Sequence, residues 1–184
     1  MKRCISILLL LCLLAGLAAC RDKDNTANRP LTLPELDAAL LNGQLDDATA
    51  AELLALAFIS AKQSQFTGDG ADTAQYFAEN AADQSYFDIK QRILRTRFDD
   101  VDPSTCEYET AVLSVSQEDA HITVMVDEYW SFHYIDMAAE SGMRFSYTLG
   151  LVPQDGSWRV DTIFSDDEFD EQYYYNRSAL STAE

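Results

Sequence analysis

Asp127, Tyr129 and His133 bring a carboxylate, a phenol and an imidazole within seven residues, and Asp161 adds a second carboxylate further along the chain. In an extended segment the first three share one face, because successive side chains alternate across a strand. A buried acid and base with shifted ionisation can move a proton beside a carbonyl, so these four are the candidate pocket residues. The same alternation also argues against them. Val126, Trp130 and Phe132 have the opposite parity and read as the core face, which sends Asp127 and His133 toward solvent. No residue is therefore assigned a catalytic role, and binding is expected ahead of catalysis.

Other clusters point to structure rather than chemistry. Asp99, Asp100 and Asp102 lack the glycine and distal glutamate of a calcium loop and precede Pro103, so they read as a helix stop. His121 and His133 lie too far apart on one strand to share a zinc ion, and no metal or other cofactor is expected. Cys106 stands outside any His-containing motif and reads as a quiet, partly buried thiol. Lys90, Arg92, Arg95 and Arg97 end a helix, where cations favour the negative end of the dipole.

The first half of the chain has helical periodicity. Thr32 and Glu35 are spaced as a capping box, Pro34 suits a first turn and Gly43 closes a short helix burying Leu36, Leu40 and Leu41. A second helix runs from Asp46 or Asp47 to about Phe66, with Ala50, Leu53, Leu54, Ala57, Phe58 and Ala61 on its apolar face. Asp72 is expected to cap a third carrying Tyr76 and Phe77. Tyr86, Phe87, Ile89, Ile93 and Leu94 mark a fourth that ends near Phe98.

After Cys106 the period changes to two. Strands are predicted over about 107–116 (through Ala111, Leu113 and Val115), 121–135, 143–152 (through Phe145, Tyr147, Leu149 and Leu151) and from Trp158 through Val160 to Ile163. Glu118 and Asp119 form one turn, and Asp155-Gly156 is a tight-hairpin signal. The expected sheet is a four-stranded antiparallel meander. Ser165 and Glu168 again have capping-box spacing, and Phe169, Tyr173, Asn176 and Leu180 fall on one face, predicting an amphipathic terminal helix over 165–181. Tyr173 to Tyr175 are read as part of its packing.

The N-terminus has the order of an export signal: Lys2 and Arg3, an apolar core from Ile5 to Leu14, then small residues up to Cys20. The apolar stretch is shorter than the roughly 20 residues that span a bilayer. Leu17-Ala18-Ala19-Cys20 resembles the lipobox of bacterial lipoproteins. That resemblance implies cleavage before Cys20, diacylglycerol on its thiol, and a membrane partner reached through lipid at the extracytoplasmic face. Arg21 in place of aspartate would permit outer-membrane sorting in an organism with two membranes. Residues 20–31 read as lipidated cysteine and polar tether, about 18 Å long as a flexible coil. Removing residues 1–19 takes two of the 13 basic residues and none of the 31 acidic ones, so the remaining 165 carry a formal charge of −20. Such a charge argues against nucleic-acid binding. With Cys4 and Cys12 in the signal and Cys20 lipidated, only Cys106 is left, and no internal disulfide can form.

Helices followed by a long-stranded meander, with Gly156-Ser157-Trp158-Arg159-Val160 in the last hairpin, resemble the NTF2-like superfamily over residues 34–164. The resemblance implies an α+β cone in which N-terminal helices pack in the mouth of a curved sheet, here one domain over 32–184. Some members use the pocket for catalysis and others for binding. Tyr175-Asn176-Arg177-Ser178-Ala179 is similar to the opening of an amidase domain that follows such modules in some lipoproteins, which implies that this chain is the accessory half. The expected function is a membrane-anchored binding or interaction module, with an envelope protein as partner. The alternatives are a small isomerase- or dehydratase-type pocket enzyme and a purely structural envelope lipoprotein.

Overall fold

The computed structural model describes residues 31–67, 71–137 and 139–166. The expected signal, most of the tether and all but the first two residues of the expected terminal helix lie outside these. Ser165 itself, the expected cap of that helix, is the last residue of a strand.

Helix α1 spans Leu33–Leu41 and opens as predicted, with the Glu35 carboxylate accepting from both the amide and the hydroxyl of Thr32 at 2.8 Å. Gly43 follows at φ 66°, a left-handed conformation that glycine adopts without steric cost. Its buried residues are Leu33 and Leu36, whereas Leu41 is 65% exposed. Leu41 lies one position past the stripe set by Leu33, Leu36 and Leu40. Helix α2 spans Asp47–Thr67, with Asp46 accepting from the Thr49 amide at 2.8 Å. It lies across the sheet and buries a broad face, from Ala50 through Phe58 and Ile59 to Lys62.

The helix expected after Asp72 is a single 3-10 turn, Ala74–Tyr76, to which Asp72 contributes one hydrogen bond from the Ala74 amide at 2.9 Å. Phe77 then bridges to Val160, and the Ala78 amide donates to the Val160 carbonyl, so pairing with the sheet stops the helix from extending. Helix α3 spans Gln84–Arg97. It buries Phe87, Lys90, Gln91 and Leu94, while Ile89 and Ile93, which helped to mark the helix, are exposed.

Strands β1 (Glu107–Glu118), β2 (His121–His133), β3 (Glu140–Gln154) and β4 (Ser157–Ser165) form one antiparallel meander in chain order, and the fold class is α+β as predicted. The first turn is Asp119-Ala120, one residue later than expected, since Glu118 pairs with His121. Asp155 and Gly156 take φ 54° and 76°, the paired positive angles of the tight hairpin expected there. Two bulges reset side-chain parity. In β1 a bulge between Val112 and Ser114 turns Tyr108, Val112 and Val115 toward the core, leaving Ala111 and Leu113 outside, opposite to their predicted direction. In β4 the register shift leaves Asp161 without a partner opposite, and Trp158, Val160 and Ile163 all face inward despite their uneven spacing.

The last hairpin also ties down the N-terminal helices. Arg159 grips the Asp37 carboxylate of α1 through two nitrogens at 2.7 and 3.0 Å, Ser157 donates to the same group, and the Trp158 indole donates to Asp47 at 3.0 Å. Burial pushes the Asp37 carboxyl upward, but the hydrogen bonds from Arg159 and Ser157 and the Arg159 charge outweigh it and hold the group below its ordinary range. A depressed folded-state value gives stability that is fully present above the unfolded value, near pH 4, and is lost as pH falls through the folded value. Asp37→Asn is therefore expected to flatten the decline in thermal midpoint below about pH 4. Thermal melts of both proteins between neutral pH and pH 3 check this, and parallel curves would remove Asp37 from the acid response.

Candidate functional site

The strongest internal charge lies where helix α2 crosses the sheet. Lys62 and Glu128 form an ion pair with no solvent exposure on either side chain. Each is placed by the periodicity of its own element. Lys62 comes four residues after Phe58 on the buried stripe of α2, and Glu128 sits between Val126 and Trp130 on the inward face of β2. Both Glu128 oxygens are occupied, one by Lys62 and the other by the Gln63 amide at 2.8 Å, which also reaches the Thr110 hydroxyl at 3.0 Å.

Aromatic rings surround the ammonium: Trp130 at 4.7 Å, Tyr147 at 4.8 Å and Phe145 at 5.5 Å from Lys62 Nζ to the ring centres. Ring quadrupoles stabilise a cation in place of the water it has lost. Phe66, Tyr108 and Phe145 pack on Trp130 at 4.7 to 5.4 Å, and Phe98 joins Trp130 to Phe132. Beside these rings lies a cavity of about 30 Å³ lined by Phe66, Phe98, Val101, Pro103, Cys106, Trp130 and Phe132. Among the described residues the Trp130 indole nitrogen is buried without a hydrogen-bond partner, and the buried Tyr108 hydroxyl has only the Cys106 thiol beside it. Burial raises the Tyr108 phenol well above its ordinary range, helped by Cys106 and the Glu128 charge. Burial also raises the Cys106 thiol, with the Asp102 charge adding to it and a Tyr108 hydrogen bond opposing it. That favours the protonated, unreactive form expected from the sequence.

The four candidate pocket residues are not brought together. Asp127 and Tyr129 lie on the outer face of β2, in an open groove of about 230 Å³ lined also by Glu109, Thr110, Ala111 and Arg144. Asp127 accepts from Arg144 at 2.9 Å and from the Ser146 hydroxyl at 2.6 Å. The Tyr129 ring lies over Gly142, where an added Cβ would fall 2.2 Å from the phenol oxygen. His133 ends the same strand, six residues from Asp127, which corresponds to roughly 20 Å of extended chain. Its backbone is held by Thr105 and Asp102. Asp161 is at the β4 bulge, outside the groove.

The acidic cluster serves local structure. Asp102 caps the 3-10 turn Pro103–Thr105 by accepting from the Ser104 amide and hydroxyl, and those bonds lower its carboxyl below the ordinary range. Among the described residues no group of three or more His, Cys, Asp or Glu is placed to hold a metal ion. No described helix is long and apolar enough to cross a membrane.

The described residues thus define an α+β domain whose helices close one face of an antiparallel meander over a buried ion pair. No protein-family model matches the chain, and no curated protein sequence matches it. Three solved structures are similar to it at low identity. An NTF-2 like protein of unknown function from Shewanella oneidensis MR-1 is 12% identical over 62% of this chain and 97% of its own, with TM-score 0.39. The intermembrane space region of chloroplast protein ARC6 is 11% identical over 66% and 97%, with TM-score 0.41. A SEC-C motif containing protein from Rhodopseudomonas palustris is 14% identical over 76% and 96%, with TM-score 0.36.

Proposed function

We propose that this chain is a lipid-anchored extracytoplasmic protein whose NTF2-like domain binds an envelope protein through its outer surface. The carrying observation is the filled interior. The space between helices and sheet is taken up by the Lys62–Glu128 pair and its aromatic neighbours, and the cavity beside them is about 30 Å³. Small-molecule pockets typically run to ~300 Å³ or more. A pocket enzyme would also need Asp127, Tyr129, His133 and Asp161 to converge, and they are spread over one face and a bulge. Element order, the meander and the role of Gly156, Trp158 and Val160 in the last hairpin support the NTF2-like reading. Anchoring rests on the Leu17–Cys20 motif.

The outer groove offers the residue types that dominate protein interfaces. Tyr129 is 43% exposed and Arg144 stands beside it, paired to Asp127. Tyrosine and arginine supply large contact area and directional donors, and truncating such an anchor typically costs 2 kcal/mol or more, roughly 30-fold in affinity. Tagged full-length protein isolated from its membranes should retain a partner that Tyr129→Ala and Arg144→Ala each lose by about that factor, with unchanged thermal midpoints. Equal retention by both variants would remove the groove from the interface. A small-molecule turnover abolished by Asp127→Asn would favour the enzyme.

A further inference from the structure

Helix α3 carries an apolar strip that the rest of the described fold leaves open. Ile89 and Ile93 are 46% and 41% exposed and, with Tyr86, Lys90 and Leu94, line a shallow depression. The strip has basic flanks: Arg92 and Arg95 are exposed on the same helix, in a chain whose overall charge is strongly negative. The sheet delivers the chain to this place, since Lys90 of α3 donates to the hydroxyl of Ser165, the last residue of β4.

We propose that the eighteen residues beyond Asp166 fold back along α3 as an amphipathic helix and cover this strip. Their opening residues Asp167, Glu168, Asp170 and Glu171 are all acidic and match Arg92 and Arg95 in charge. Phe169, Tyr173 and Leu180 recur at helical spacing and supply an apolar face for Ile89 and Ile93. Along the alternative track, continued pairing with the first half of β3, the Asp166 amide still donates to the Ser146 carbonyl at 3.2 Å, but the return bond is lost: the Ser146 amide donates to the side chain of Asp166 at 3.0 Å and not to its backbone carbonyl. Strand parity counted from the inward Ser165 would also turn Asp167 and Glu171 toward the core, burying two carboxylates, whereas a helix along α3 leaves them at the surface.

Disulfide mapping on the full-length lipoprotein in detergent, in a Cys106→Ser background, tests this. Ile89→Cys is paired in turn with Phe169→Cys, Tyr173→Cys and Leu180→Cys, and the same tail cysteines are paired with Leu113→Cys on the outer face of β1 as a control. The expected result is an intramolecular disulfide to position 89 that forms independently of protein concentration, at least tenfold faster than to position 113. Cross-links only between molecules would assign the strip to a second copy, and no preference for position 89 would place the tail elsewhere; either overturns the proposal. Hydrogen exchange gives a second readout that does not depend on cysteines: ending the chain at Asp166 should speed exchange of the α3 amides by about tenfold, and unchanged exchange would also overturn it.

Discussion

Lys62→Met will destabilise the domain by about 3–5 kcal/mol, because it leaves the Glu128 carboxylate buried with no cation beside it. For a domain of this size that corresponds to a fall in thermal midpoint of roughly 10 °C or more. Methionine nearly conserves the volume of the lysine stem, so the loss is electrostatic rather than a matter of packing. Gln63 still donates to the other carboxylate oxygen, yet a neutral amide cannot replace an ammonium in a water-free site. The double variant Lys62→Met/Glu128→Gln should recover most of the loss, since its amide keeps a partner in Gln63 and no unpaired charge is left. Urea unfolding of the wild type, Lys62→Met, Glu128→Gln and the double variant gives the coupling energy directly. If the double variant were as unstable as Lys62→Met alone, the pair would not be the source of the effect, and the aromatic packing around Nζ would be.

The pair also bears on function. Two charges that must be desolvated to pack α2 on the sheet contribute little net stability compared with apolar residues of the same volume. They do require one register, in which Lys62 meets Glu128 and three aromatic rings. An interior fixed in this way presents a rigid outer face, which suits recognition by a preformed surface.

Much of this was legible in the residues, and the misses have identifiable causes. The meander, the Asp155-Gly156 hairpin, the cap at Thr32 and the stop at Gly43 each follow from local chemistry that no distant contact overrides. The inward faces of β2 and β3 follow from unbroken alternation, and that alternation placed Asp127 and His133 outside. Alternation failed in β1, where a bulge reverses parity at Leu113, because a bulge between ordinary residues carries no local signal. Helix α3 formed where its apolar residues marked it, but they do not all face inward. Ile89 and Ile93 are apolar but lie on a face that no described element covers, while the buried side carries Lys90 and Gln91. The Lys62–Glu128 pair carries a usable signal: opposite charges occupy core positions in two elements that have to pack together. Two such residues in one core are each too costly to bury alone, so their coincidence implies contact.

Cys20→Ser is expected to abolish incorporation of labelled fatty acid and to remove the short lipidated form of the protein from the membrane fraction. The physical case depends on what else could hold the chain there. The chain from Cys20 onward has a formal charge of −20, so an anionic headgroup surface repels it, and no described helix can cross the bilayer. Acyl chains contribute about 0.8 kcal/mol per buried methylene, and two chains hold a protein stably without any help from its surface. In the proposed anchoring, losing the thiol removes the point of attachment, and a domain repelled by the headgroups is not expected to make up the difference. The unlipidated chain then either leaves the membrane or persists as a precursor retaining residues 1–19, and mass spectrometry separates these from the mature form. Wild-type protein should stay with the membrane in high salt, since a lipid anchor is not screened whereas an electrostatic one is. Unchanged fatty-acid labelling of Cys20→Ser, or release of the wild type by salt alone, would sink the anchor and leave the outer groove as the only proposed route to a partner.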